Sequence, residues 1–363
     1  MTTTSAPAPR SGGRTPRRYL LAAAALVVIA LVSVLVAAHS DPTSISGKVD
    51  TKHLPNKGPA PALQAKGWIN SPPLTPAALK GKVVLYDFWT YSCINCVRTI
   101  PYVRSWYDRY KADGLVVIGI HSPEFDFEKV HKNVQDAVKK DDIPYPVALD
   151  DDMTIWNAFQ NQYWPADYVA DRNGDLRYTH FGEGDYTDTE NVLRTLLGVP
   201  TTAPRASTVH PEAESDSQTN PETYLDVEHG QIGVEAGVHS YTAPANVPSP
   251  NVALGGSWNG EDDKLVSSAP NATLVLGAHA ESANIVLGTS TGRPIDVVVA
   301  LDGRPVPANL RGADVHADAS GQTHITVTMP GMYRVLLAPG VQDHQLTFVA
   351  QSAGLEAYDL TFG

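Results

Sequence analysis

KVVLYDFWTYSCINCVRTIP, residues 82 to 101, holds both cysteines of the chain, Cys93 and Cys96, and its first half is apolar almost without a break. A near-continuous apolar run of this length suits a strand buried on both faces. Downstream, Ile100, Val103, Trp106, Tyr107 and Tyr110 recur at helical spacing up to a stop at Gly114. A strand thus delivers Cys93 to the first turn of a helix, where unpaired N–H groups and the helix dipole favour a thiolate over a thiol. Cys93 is the expected nucleophile. Cys96, one helical turn further in, is placed to attack a mixed disulfide formed at Cys93 and resolve it. Arg98 is expected as a solvated helix residue.

Outward from this segment, LVVIGI at 115–120 reads as a second buried strand, and Phe127 to Lys140 as an amphipathic helix whose terminal lysines suit its dipole. Residues 166–181 hold two short strands joined at Asn173-Gly174, a hairpin signal in which both turn positions take positive φ. A last helix is expected over about 187–197. The order is that of an α/β domain. Residues 198–220, dominated by Pro, Thr, Ser and Ala, read as a linker crossed by few contacts. Beyond it, short Val/Leu/Thr runs between Gly, Pro, Asp and Asn turns predict an all-β sandwich of jelly-roll type, which should fold alone and take no part in catalysis.

The 363-residue chain, 42% apolar, has material for two cores, and its net charge of -12 is unevenly spread: residues 201–363 carry 18 acids and 6 bases. An acidic surface of this kind repels phosphates and excludes a nucleic-acid role. Residues 19–38, YLLAAAALVVIALVSVLVAA, are apolar and uncharged over the length a helix needs to cross a bilayer. Arg10, Arg14, Arg17 and Arg18 precede the run, so its N-terminus is expected in the cytoplasm and the remainder outside. Val36-Ala37-Ala38 also offers a signal-peptide cleavage site, but the run exceeds the usual ~7–15 residues of such a segment, and an anchor is preferred. An exported protein meets an oxidising milieu in which paired cysteines are ordinarily staples. Two cysteines three positions apart close too small a loop to staple anything.

Asp87-Phe88-Trp89-Thr90-Tyr91-Ser92-Cys93-Ile94-Asn95-Cys96 followed by Arg98, Ile100 and Pro101 resembles the thioredoxin superfamily, and within it the exported C-terminal region of DipZ-type proteins, relatives of the DsbD and TlpA thiol reductants. The resemblance extends to Pro221-Glu222-Thr223-Tyr224-Leu225, Gly256-Ser257-Trp258, Leu301-Asp302-Gly303 and residues 356–363, and implies a carbohydrate-module-like second domain. It implies that Asp87 is the buried acid serving the second cysteine, with a raised pKa. It also implies that Trp164-Pro165 carries the cis-proline opposite the dithiol, where a substrate strand pairs. The catalytic set is then Cys93, Cys96, Asp87, Pro165 and Trp164, with no cofactor beyond the redox-active Cys93–Cys96 disulfide and no metal. The implied organisation is a cytoplasmic tail at 1–18, an anchor at 19–38, a stalk at 39–60, a thioredoxin-like domain at 61–200, a linker at 201–220 and a β-sandwich at 221–363. DipZ proteins carry a multi-helix electron-transferring membrane domain, so a chain with one span implies a separate membrane partner of DsbD/CcdA type, with exported protein disulfides as substrates.

Two other function classes compete. In one the β domain binds a glycan or protein and the dithiol is accessory, with Trp258 and Tyr224 stacking on sugars; aromatics inside apolar strand patterns are more often core. In the other the dithiol delivers copper with His121 or His180, although a tetrahedral site needs two ligands beyond the cysteines. Thr90-x-x-Cys93 resembles a peroxidatic motif, but Tyr86 stands where that motif has proline. Asp171 to Asp175 begins like a calcium loop and then departs from it at Leu176 and Gly182. Glu124 reads equally as a group near the cysteines or as an acid heading the helix from Phe127.

Overall fold

The computed structural model describes residues 50–200, 202–206 and 219–363. The tail and the expected membrane span at 19–38 lie outside these residues, as does most of the linker. Among the described residues no helix is long and apolar enough to cross a membrane.

The first domain is α/β. Its elements are β1 (Gly67–Ile69), α1 (Pro76–Leu79), β2 (Val83–Trp89), α2 (Ile94–Tyr110), β3 (Leu115–His121), α3 (His131–Lys140), β4 (Val147–Leu149), α4 (Thr154–Ala158), β5 (Ala166–Ala170), β6 (Leu176–Phe181) and α5 (Tyr186–Leu197). The sheet order is β1-β4-β3-β2-β5-β6. β2 lies parallel to β3 and antiparallel to β5, so it is hydrogen-bonded on both edges. All seven of its residues are buried. Alternation then sorts its side chains: Val83, Leu85 and Trp89 join a cluster with Cys93, Cys96 and α2, while Val84, Tyr86 and Phe88 pack on the opposite face with α4.

Three local readings need correction. The helix expected from Phe127 begins at His131, because Asp126–Lys129 form a 3-10 turn and Val130 is extended at φ -80 and ψ 104. The reason is tertiary: Phe127 is drawn into a cluster with residues of the β domain. In the 173–174 turn only Gly174 takes positive φ, at 90. Asp171 Oδ1 accepts from the N–H groups of Asn173 and Asp175, which closes the turn by a side-chain bond instead. The end of the expected stalk is also held. Lys57 N–H donates to Leu176 O, Leu176 N–H to Gly58 O, and Arg177 reaches the carbonyls of Leu54 and Pro55.

The second domain is all β. Its strands are β7 (Thr223–Tyr224), β8 (Gly237–Tyr241), β9 (Val252–Gly260), β10 (Leu265–Ser267), β11 (Thr273–Thr289), β12 (Ile295–Leu301), β13 (Arg304–Pro305), β14 (His316–Ala317), β15 (Thr323–Val327), β16 (Gly331–Ala350) and β17 (Leu355–Phe362). The hydrogen-bonded path runs β14-β15-β12-β16-β11-β17-β10-β9-β8. Strands here are not all short: β11 and β16 have 17 and 20 residues. The first part of β11 pairs with β9 and its last part with β17, while β16 runs along its other edge with register shifts near Ala280 and Ala283.

Candidate active site

β2 ends at Trp89, and Thr90, Tyr91 and Ser92 carry the chain to Cys93, the residue that caps α2. The backbone N–H of Cys96 donates to Cys93 Sγ at 3.4 Å, so the first sulfur receives an otherwise orphaned donor of the helix terminus. Both cysteines are free thiols. Cys93 is 9% exposed and Cys96 1%, which leaves Cys93 as the sulfur with access to a partner. Burial, followed by the Cys93 sulfur beside it, pushes the Cys96 thiol well above the ordinary thiol range.

The loop ahead of Cys93 is held by an acid that the sequence reading did not single out. Glu128 Oε1 accepts from Thr90 Oγ1 at 2.5 Å, Ser92 Oγ at 2.6 Å and Ser92 N–H, while Oε2 accepts from the N–H groups of Glu124 and Phe125. Burial raises its pKa and the donors pull it back. His121 supports the same loop. Its ring stacks on Tyr91 and meets Trp89 edge-on, its Nε2 lies 3.4 Å from Thr90 Oγ1, and burial lowers it to about 3, so it is neutral.

Asp87 is 1% exposed, and burial pushes its carboxyl up to about 7. The Tyr145 hydroxyl faces it at 3.5 Å. Asp167, two residues after Pro165, is its cross-strand partner in β5 and was not anticipated. It too is buried, and its pKa rises well above the ordinary range through burial and then the charge of Asp87. The Trp164–Pro165 bond is cis. Trp164 packs against the cluster holding Cys93, Cys96 and Trp89, and its Nε1 donates to Ser122 O at 3.1 Å. The structure thus gathers Cys93, Cys96 and Asp87 on one face of the sheet, with Trp164 against the same cluster and Pro165 leading into the strand that pairs with β2.

Arg98 is not solvated. At 3% exposure, its Nε donates to both carboxylate oxygens of Glu183 at 3.0 and 2.9 Å, and its Nη2 to Asn95 Oδ1 at 2.7 Å, between the two cysteines. The second domain reaches this region at several points. A Cβ at Gly363 would lie 2.3 Å from Arg98 Nη1. Tyr224 donates to Glu124, and Phe125 and Phe127 pack with Val286 and Tyr358. A crevice of about 370 Å³ opens between the domains beside the dithiol loop, with Tyr91, Val97 and Ala137 on one side and Met329, Met332 and Tyr333 on the other. Trp258 is a core residue at 1% exposure, and the ring of Tyr224 stacks on His229 at 4.0 Å. Among the described residues no group of three or more His, Cys, Asp or Glu is arranged to hold a metal ion.

Comparison with known proteins divides the chain in the same way. Residues 57–179 match the AhpC/TSA family and residues 220–363 the thioredoxin like C-terminal domain. Over 320 residues the chain is 36% identical to Protein DipZ of Mycobacterium bovis, a match that takes in 84% of this chain and 43% of that protein. It therefore spans less than half the length of that relative. Thiol-disulfide oxidoreductase YkuV of Bacillus subtilis is 33% identical over 127 residues, 35% of this chain and 84% of that one. Thiol-disulfide oxidoreductase ResA of Bacillus cereus is 28% identical over 118 residues, 32% of this chain and 65% of that one.

Proposed function

Since this chain belongs to the thioredoxin-like family of thiol-disulfide oxidoreductases, we propose that it exchanges disulfides with exported proteins through Cys93 and Cys96, held at the outer face of a membrane by residues 19–38. Cys93 attacks a target disulfide and forms the mixed disulfide. Cys96 then displaces the target thiol, and Asp87 takes up its proton. The observation that carries this reading is the placement of Cys93 Sγ at the head of α2, 3.4 Å from Cys96 N, with Cys96 buried behind it on the face that bears Asp87.

The electrons reside on the cysteine pair itself, with no further cofactor. Reduction is the direction we assign, fed by a separate membrane partner of DsbD/CcdA type. Pro165 supplies the edge on which a target strand lies, and Trp164 shapes the approach to it. Insulin reduction with a Cys93→Ser control tests the dithiol reading, since turnover that survives the substitution removes it. The reduction potential of the couple tests direction: a value near the roughly -270 mV of thioredoxin marks a reductant, and one near the roughly -120 mV of DsbA an oxidant.

A further inference from the structure

Three polar side chains lie in one row across the otherwise apolar face of the sheet beneath α2. The registers place Val147, Gly119, Asp87, Asp167 and His180 side by side on β4, β3, β2, β5 and β6. Directly opposed residues on one face hold their Cβ atoms about 4.5–5.5 Å apart. The missing side chain at Gly119 makes room for Tyr145, because a Cβ there would lie 3.1 Å from the Tyr145 ring. That ring brings its hydroxyl to Asp87 Oδ2. Asp87 and Asp167 are 1% and 4% exposed, and among the described residues neither has a basic partner. Asp167 Oδ1 is buried and has no hydrogen-bond partner among the described residues. Two adjacent carboxylates buried this deeply cannot both ionise near neutral pH, because each charge opposes the other and neither is solvated.

We propose that Asp87 and Asp167 hold one proton between them, and that this pair is the base to which Cys96 gives its proton and from which the proton is recovered. The proposal rests on the dithiol reading above. In the resolving step Cys96 Sγ attacks Cys93 Sγ, the bond from Cys93 to the target sulfur breaks, and the Cys93–Cys96 bond forms. The target sulfur leaves with the electron pair as a thiolate. The proton of Cys96 passes to the ionised member of the pair and from there to that thiolate. Both cysteines are oxidised, and the target disulfide is reduced by two electrons and two protons over the full exchange. Asp87 is the member beside the thiol; Asp167 acts through it, as a positioning residue.

The other groups facing the pair are Cys96 on α2, Tyr145 ahead of β4 with Asp141 behind it, and Tyr178 and His180 on β6. Asp185 and Asp188, at the start of α5, lie behind Tyr178 and His180. Burial keeps His180 depressed and Tyr145 and Tyr178 elevated, so none of these three charges to balance the carboxyls near neutral pH.

The test is an infrared titration of the buried carboxyl band in the whole reduced chain, read beside the resolving step. The latter is followed as release of thionitrobenzoate from its mixed disulfide with Cys93. A shared proton gives two separated carboxyl steps in the parent and one intermediate step in Asp167→Asn and in Asp87→Asn, with the resolving-rate midpoint of Asp167→Asn displaced by about one pH unit. Parent steps that equal the sum of the two variants' steps, with an unmoved midpoint in Asp167→Asn, overturn the proposal. Asp167→Ser repeats the comparison if the amide does not fold. Turnover that persists in Cys93→Ser instead removes the dithiol reading and leaves the carboxyl titration to be judged by itself.

Discussion

Tyr224 of the β domain donates its phenolic hydrogen to Oε1 of Glu124 in the α/β domain, a bond between residues 100 positions apart. Glu124 immediately precedes Phe125 and lies four residues before Glu128, and those two neighbours tie the same loop to Tyr358 and to the Thr90–Ser92 segment. The all-β domain is therefore joined to the loop that holds the dithiol.

The junction should loosen as pH rises. Burial, then the charges of Glu222 and Glu128, push Glu124 up to about 8. A carboxyl with a raised pKa contributes stability fully below its unfolded value near 4.3 and loses it as pH rises through the folded value. Thermal unfolding between pH 5 and 9 should show the parent losing stability and Glu124→Gln losing less. Asp87, Asp167 and Asp359 slope the same way, so the difference between the two proteins is what is read. Tyr224→Phe should cost about 1–2 kcal/mol, and an unchanged denaturant midpoint would contradict the role given to this bond.

Glu128→Gln should both destabilise the protein and uncover Cys93. The amide group of glutamine presents hydrogens where the carboxylate accepted from backbone N–H groups, so two buried donors lose their acceptor, at about 3 kcal/mol in total. Thr90 and Ser92 lose a charged anchor at the same time. Denaturant unfolding reads the first effect, and the rate of Cys93 alkylation in the folded protein reads the second. Parent-like values in both would show that the loop is held by other contacts.

The strand, the dithiol and the helix were legible because each is local: an apolar run, a three-residue spacing and a 3.6-residue period. Asp87 and the cis Trp164–Pro165 bond followed from the family resemblance. Asp167 did not, since it meets Asp87 only through the β2–β5 register, 80 positions apart in sequence. A carboxyl between the apolar residues Ala166, Tyr168 and Val169 was the available signal. Arg98 looked solvated because an arginine in a helix usually is, and the acid that keeps it buried is Glu183, 85 residues on. Phe127 read as a helix residue because its partners, Val286 and Tyr358, belong to the other domain. Its burial across the junction breaks the helix that periodicity alone would start there.

Cys96→Ser should trap targets on Cys93. Serine at the second position cannot displace the target thiol, while Cys93 retains its place at the head of α2 and its access. Non-reducing gels of membranes should show high-mass adducts that reductant removes, and Cys93→Ser should show none. Adducts formed by Cys93→Ser would instead make Cys96 the attacking residue.

Asp87→Asn should slow resolution most strongly on the alkaline side of neutrality. The parent carboxyl, pushed up to about 7 by burial, is protonated below that pH and has no free oxygen for the Cys96 proton. Above it the carboxylate is available, so the parent's resolving rate should climb through about pH 7. Cys96 itself stays protonated across this range because burial holds its thiol far higher, which leaves the carboxyl as the group that sets the profile. Asparagine accepts no proton, and loss of a positioned base typically costs about 10²-fold or more. The climb near 7 should disappear, and the remaining rate should rise only where Cys96 or hydroxide takes over at high pH. Rapid-mixing release of thionitrobenzoate from the Cys93 adduct measures this directly. A parent-like climb in Asp87→Asn would mean that another group receives the proton, and Asp167 on the neighbouring strand would be the first to replace by asparagine.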